Sequence, residues 1–341
     1  MPKILVTGGA GYIGSITARL LSRRGYSVVV VDDLSRGQEH NLSGLPFHKL
    51  NVADTPALSD LLAREAIDAV IHFAAYIAVG ESTQKPELYF SNNVGGTLSL
   101  LTAMVQTNVK RIVFSSTAAV YGTPQVVPIP EDSPFDPVSP YGESKVMVEK
   151  ILNWLDPYRG LRSIVLRYFN ACGSDPESGL GEEHDPETHL IPLLLRAVVT
   201  GNPINIYGDD YETPDGTCIR DYIHVTDLAE AHLLALEKLL AGGASDAFNV
   251  GTGAGHSVME VLRAVEEVTG RTVPFEMGPR RAGDAPALVA NSDKLKRALG
   301  WKPRFPELPD IVTTAWQFEK NRRKSETAVP FHFRISHTSE T

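Results

Sequence analysis

The segment "SPYGESKVMVEK" sets a phenol, Tyr141, and an amine, Lys145, four positions apart. In a helix, positions i and i+4 share one face, so the two groups can meet at one spot. A phenol titrates near pH 10, and using it as a base near neutrality requires lowering its pKa by roughly 3 units, about 4 kcal/mol. One ammonium about 4 Å away at an effective dielectric near 20 supplies on the order of 4 kcal/mol. The pair therefore suits removal of a hydroxyl proton. Taken alone it also describes a surface Tyr beside a solvated Lys, and among 11 tyrosines the spacing can arise by chance.

A second cluster gives the pair a context. "LVTGGAGYIGSI" holds Gly9, Gly11 and Gly14 in G-x-G-x-x-G order, and Gly8, Gly11 and Gly14 in G-x-x-G-x-x-G order. The glycines follow the predicted strand Ile4–Thr7 and open a helix, whose N-terminal amides can cradle a pyrophosphate. The next strand ends at Asp32, where a carboxylate accepts hydrogen bonds from both ribose hydroxyls and repels a 2′-phosphate. This favours NAD over NADP, although Arg36 nearby is a group that could greet a phosphate. "FSSTAAVYG" ends a predicted strand at Ser115–Thr117, and in an open α/β sheet ligands bind beyond such strand ends. Thr117 is then placed to share a substrate oxygen with Tyr141. Its alternative is a strand-end Thr satisfying backbone groups.

These residues need a scaffold. Apolar runs "KILVTGG", "YSVVVVDD", "DAVIHFAA", "KRIVFSS" and "RSIVLRYFN" alternate with helical patterns "SITARLLSRRG", "TPALSDLLAREA" and "GGTLSLLTAMVQTN". Strands apolar throughout, alternating with helices, predict a doubly wound parallel sheet of Rossmann type, an α/β fold. Beyond residue 172 the rhythm breaks into Pro- and Gly-rich loops and later helices, a smaller C-terminal α+β domain. The division expected is 1–171 for NAD, with a return near 218–230, then 172–325 for the substrate, and a tail over 326–341.

The chain has 341 residues, 43% apolar and 21% charged, with net charge −9. No basic block precedes "KNRRK", so nucleic acid is not an expected partner. No window reaches the 18 apolar residues a membrane span needs. Cys172 and Cys218 are too few for a disulfide framework and lack metal-ligand spacing, so no metal is expected. The N-terminal apolar run is too short for a signal peptide, which points to the cytoplasm.

The glycine pattern, the strand-end Ser/Thr and Tyr-xxx-Lys together resemble the extended short-chain dehydrogenase/reductase family. "VIHFAAYIAVGES", "RYFNACG", "DGTCIRDYIHVTDLAEAH", "FNVGTG" and "PRRAGD" extend the likeness over nearly all of residues 3–320, toward members that act on C4 of UDP-hexoses. The resemblance implies that Tyr141 takes the O4 proton while C4 hydride passes to NAD. The 4-keto sugar then turns and is reduced on its opposite face, interconverting UDP-galactose and UDP-glucose. It implies a catalytic set of Tyr141, Lys145 and Thr117. It lines NAD with Gly8, Gly11, Tyr12, Ile13, Gly14, Asp32, Asn51, Val52, Phe73, Ala74, Ala75, Asn93, Ser115, Tyr141, Lys145, Tyr168 and Phe169. It places the UDP-sugar on Thr117, Tyr141, Asn170, His189, Leu190, Tyr207, Arg220, Tyr222, Arg281, Asp284 and Leu288. It further implies a homodimer through a helix pair that includes residues 144–155.

Three positions depart from the family pattern. Ile77 stands where several members carry Lys, and Asn51 where an acid commonly ends the third strand. Leu288 falls where members vary between Tyr and small residues that admit N-acetylated sugars, which leaves such substrates open. Two other readings stand beside this one. Sugar-nucleotide 4,6-dehydratases of this family carry Asp-Glu after the strand-end Thr, where this chain has Ala118 and Ala119. A non-catalytic NAD-binding protein on the same fold is the other.

Overall fold

The computed structural model describes residues 1–42, 44–281 and 283–328, with side chains through residue 323. Residues 329–341 of the expected tail lie outside the described residues. The first strands are β1 (Lys3–Thr7), β2 (Ser27–Asp32), β3 (Phe47–Lys49), β4 (Ala69–His72), β5 (Arg111–Thr117) and β6 (Arg162–Tyr168). After β7 (Asn170–Cys172), β8 (Ile204–Tyr207) and β9 (Ile219–His224), β10 (Asp246–Val250) joins the first six. These seven form one parallel sheet in the order β10-β6-β5-β4-β1-β2-β3.

The continuous apolar runs have a direct cause. Ile4, Val6, Val28 and Val30 point into one core, whereas Leu5, Val29 and Val31 point into another, so both faces of the sheet are covered. Helices α1 (Tyr12–Arg23) and, later, α8 (Val225–Leu240) close the first face. On the second face lie α2 (Thr55–Arg64), α5 (Thr97–Gln106) and α6 (Pro140–Arg159). Short α3 (Val79–Gln84) and α4 (Pro86–Tyr89) lead through a π-helical turn, Phe90–Gly96, into α5.

The start of α6 decides where the Tyr-Lys pair sits. Ser139 Oγ accepts the Gly142 amide at 3.2 Å and Pro140 occupies the first turn, which suits its fixed φ and missing N–H. Tyr141 and Lys145 therefore occupy the first and second turns, and the helix ends at Gly160 with φ +63°.

The smaller region packs α7 (Leu190–Thr200), α9 (Val258–Thr269) and α11 (Leu308–Ala328) around Leu194, Val261 and Val312, with α10 (Asp293–Leu299) beside β10. Its sheet centres on β9, parallel to β7 and β13 (Ala287–Leu288) and antiparallel to β11 (Gly255–Ser257). β12 (Phe275–Gly278) pairs with β8. Within the expected return near 218–230, residues 225–230 lie in α8 against the large sheet, and the return runs on through β10 to residue 250. Residues 219–224 pair in the second sheet, while α8 covers the first face and β10 supplies the outer strand next to β6. Helix α11 runs to Ala328, past the expected start of the tail. Among the described residues no helix is long and apolar enough to cross a membrane.

Three histidines lie inside this scaffold. His72 is held between the Thr7 and Thr97 hydroxyls at 2.6 and 2.8 Å, His232 between Ser115 Oγ and Leu228 O, and His224 between Thr226 and Thr314. Burial pushes them down to about 3, about 4 and about 4. Below pH 6.5 the unfolded chain binds protons that the folded chain refuses, so stability falls as pH falls from 6.5 toward 4. Denaturant titrations over that range are expected to show this loss. His232→Gln, which cannot titrate, is expected to make the decline shallower.

Candidate active site

The glycine loop is built by close approach. A Cβ on Gly14 would lie 2.2 Å from Gly8 O, and one on Gly8, at φ +70°, would lie 2.5 Å from Ala74 N. The turn after β1 thus presses on the segment Phe73–Ala75 after β4, and only glycine fits. Gly11 precedes α1 with no side-chain cap, so the amides of the first turn point outward unpaired by a cap. Asp32, 8% exposed, accepts the Ala10 and Leu34 amides at 3.0 and 2.8 Å; burial raises its pKa, against those two hydrogen bonds. Arg36 is committed to Glu81 at 3.0 Å and stacks over Tyr76, which leaves the carboxylate to decide the ribose preference. A cradle without Cβ atoms, a free helix N-terminus and a buried carboxylate at the next strand end fit an NAD dinucleotide.

Other residues expected at the cofactor take several positions. Tyr12 donates to Gly173 O at 2.6 Å, and Ile13 packs into the core between α1 and α8. Asn51 donates to Asp33 at 2.9 Å, and Val52 is buried against α5. Asn93 bonds Tyr76 N and O and Ser144 Oγ, tying the π-helical turn to α6. Phe73 lies tilted against His232 at 4.6 Å, Tyr168 lies beside Ser115, and Phe169 is buried beside Ala118 and Val146. Ile77 is exposed.

The proton-transfer group comes together at the ends of β5 and α6. Thr117 stands beside the Tyr141 phenol, which is 7% exposed. Burial pushes that phenol up to about 12, opposed by the neighbouring Thr117 hydroxyl. Lys145 lies 6.0 Å from the Tyr141 ring centre and donates to Ser115 O at 2.9 Å. Burial lowers Lys145 itself to about 7, with Glu149 pulling the other way. Glu149 is one residue sequence reasoning passed over, although it lies four positions beyond Lys145 on the same helix. It accepts from Ser116 at 2.5 Å and pairs with Arg167 at 2.7 Å, the guanidinium being nearly buried and bonded also to Tyr121 and Glu131 O.

A second group assembles around β9 and β13. Arg220 Nη2 is 3.5 Å from Asp284 Oδ1, Arg281 donates to Asp284 Oδ2 at 3.0 Å, and Arg281 stacks over Tyr207 at 5.2 Å. Leu288 is in register with Arg220, and Asn170, in register with Tyr222, donates to Asp221 O at 3.2 Å. Tyr222 is buried in the smaller core and burial raises its phenol. Asp221, another residue passed over, accepts four donors from Thr252, Gly253 and Ala290, pinning the "GTG" turn. His189 contacts Glu182 and Glu187, and Leu190 packs in the smaller core at the start of α7.

With this geometry in place, the family model described as "NAD dependent epimerase/dehydratase family" matches residues 4–251. The chain belongs to that family. A UDP-glucose 4-epimerase from Lactobacillus helveticus is 48% identical over 324 residues, covering 94% of this chain and 98% of the relative. The crystal structure of UDP-glucose 4-epimerase from Brucella ovis in complex with NAD superposes with a TM-score of 0.90 at 47% identity, covering 93% and 98% of the two chains. That from Bifidobacterium longum, in complex with NAD+ and UDP, gives 0.89 at 38% identity over 94% and 99%. The large parallel sheet with a smaller C-terminal region is the architecture of this epimerase family.

Gly14→Ala tests the cradle. Relieving the Gly8 clash costs about 1–3 kcal/mol, so NAD affinity is expected to fall roughly tenfold or more. Quantifying the dinucleotide released from denatured protein checks it.

Proposed function

We propose that this NAD-dependent epimerase interconverts UDP-galactose and UDP-glucose. The observation that carries the reading is the buried Thr117–Tyr141–Lys145 group beside a dinucleotide cradle, with two arginines gathered on Asp284. Bound NAD supplies the acceptor and donor of hydrogen at C4. Tyr141 removes the O4 proton and later returns it, and Thr117 holds the same oxygen. Lys145, fixed by Ser115 O, contributes positive charge that favours the phenolate, and Glu149 favours the charged form of Lys145. Arg220 and Arg281 hold the pyrophosphate of the substrate, where a planar guanidinium can bond two oxygens. The hexose is held more loosely than the UDP and can present either face.

Dehydration does not suit the site. It requires an acid at O6 and a base at C5, and the turn after Thr117 offers Ala118 and Ala119, with Ala118 buried. Cys172 and Cys218 are both buried free thiols, which suits a reducing compartment.

Incubating the purified chain with UDP-galactose and no added cofactor, followed by NMR, is expected to give UDP-glucose. No conversion with or without added NAD would overturn the reading. UDP-N-acetylgalactosamine in parallel reports the room beside Leu288. Tyr141→Phe is expected to lower turnover at least about 100-fold while UDP and NAD binding persist. Retained turnover removes Tyr141 from the role.

The homodimer belongs to the same proposal. Met147, Trp154 and Tyr158 of α6 and Leu98 of α5 are exposed large apolar residues, and Trp154 stacks on Tyr158 at 5.8 Å. Such a patch is what a helix-pair interface covers. Sedimentation is expected to give a dimer that Trp154→Glu converts to monomer.

A further inference from the structure

Outside the proton-transfer site, four residues between β7 and α7 form a compact donor set. Glu182, His184, Glu187 and His189 each bring one ligand-type atom within 4.8 Å of the others. His184 Nδ1 lies 3.0 Å from Glu182 Oε1 and 3.9 Å from Glu187 Oε1, and His189 Nδ1 lies 2.6 and 3.4 Å from the same two oxygens. Around a tetrahedral ion with bonds near 2.0–2.1 Å, ligand atoms are about 3.4 Å apart. The observed separations bracket that value.

Two further observations point to an ion at the centre of this network. Glu187 is 8% exposed and its Oε2 is buried without a hydrogen-bond partner. His189 Nδ1 is also a buried atom with no such partner, its 2.6 Å approach to Glu182 lacking hydrogen-bond geometry. His184 Nδ1 hydrogen-bonds Glu182 Oε1 at 3.0 Å, whereas Glu187 Oε2 and His189 Nδ1 crowd into the same network off any N–H line, as ligands converging on a third atom do. A buried carboxylate oxygen left without a donor is otherwise costly.

We propose that Glu182, His184, Glu187 and His189 bind a divalent transition-metal ion, with zinc the best match. Two imidazole nitrogens and two carboxylate oxygens suit zinc, whereas calcium and magnesium take oxygen ligands. Two carboxylates with neutral imidazoles balance the charge of a divalent ion. A cavity of about 310 Å³, lined in part by His40, Gly173, Glu182 and His184, gives access.

The ion acts on structure, not on the sugar. His184 meets the Tyr12 ring edge-on at 6.2 Å, Tyr12 bonds Gly173 O, and Glu183 meets His40 at 2.7 Å. Binding there fastens the segment before α7 against the first turn of α1, one wall of the dinucleotide cradle.

The test uses the full chain, stripped with a chelator and titrated with zinc chloride by calorimetry, with magnesium chloride as comparison. One zinc per chain is expected, bound far more tightly than magnesium, together with a rise in melting temperature. His184→Ala and Glu187→Gln are each expected to weaken zinc at least about tenfold and to remove most of the thermal rise. Glu187→Gln keeps side-chain volume and serves if His184→Ala folds poorly. Absence of zinc binding by the unaltered chain, or zinc affinity unchanged in Glu187→Gln, would overturn the site.

Discussion

Burial drives Tyr141 and Lys145 toward their uncharged forms on successive turns of one helix, and the rest of the site is arranged around that constraint. A phenol pushed up to about 12 is no base at neutral pH, and an amine brought down to about 7 is only partly an ammonium. Positive charge must therefore be retained beside the phenol. The Ser115 carbonyl fixes Lys145, and Glu149 raises its pKa from the next turn, itself held by Arg167. Breaking the Glu149–Arg167 pair would leave a buried charge uncompensated, so this part of the helix cannot easily tolerate change.

The same economy of space governs the cofactor side. The parallel sheet ends its strands at a common edge, and the loops after β1 and β4 approach so closely that the Gly8 and Gly14 positions have no room for a side chain. Asp32 stands at the end of β2 on the same edge, and Thr117 at the end of β5. One geometric fact, strands running in one direction, thereby gathers a cradle, a ribose acceptor and a proton-transfer group that are far apart in the chain.

Local patterns carried much of this into the sequence. Runs such as Val28–Val31 alternate between two cores, and that burial on both faces is why they read as uninterrupted apolar strands. The four-residue spacing made Tyr141 and Lys145 legible as helix-face neighbours, and the Ser139–Pro140 start of α6 bears that helix out. What stayed hidden depends on tertiary placement. Asp246–Val250 joins the large sheet from the far side of α8, and a short strand says nothing about its partner. The hydrogen bond from Lys145 to the Ser115 carbonyl is a tertiary contact that spacing alone cannot show. Cysteine spacing says nothing about the Glu182, His184, Glu187 and His189 cluster, whose members meet only in the folded chain.

The central claim is that charge on Lys145 makes a buried phenol usable as a base. Its most direct test is the pH dependence of kcat/KM for UDP-galactose, compared between the unaltered chain and Lys145→Met. The account expects the rising limb to move at least about one pH unit toward alkali in the variant, because the phenol loses its stabilising cation. A rate lowered by the same factor at every pH, with the limb unmoved, would contradict it and leave Lys145 a residue that only holds the cofactor.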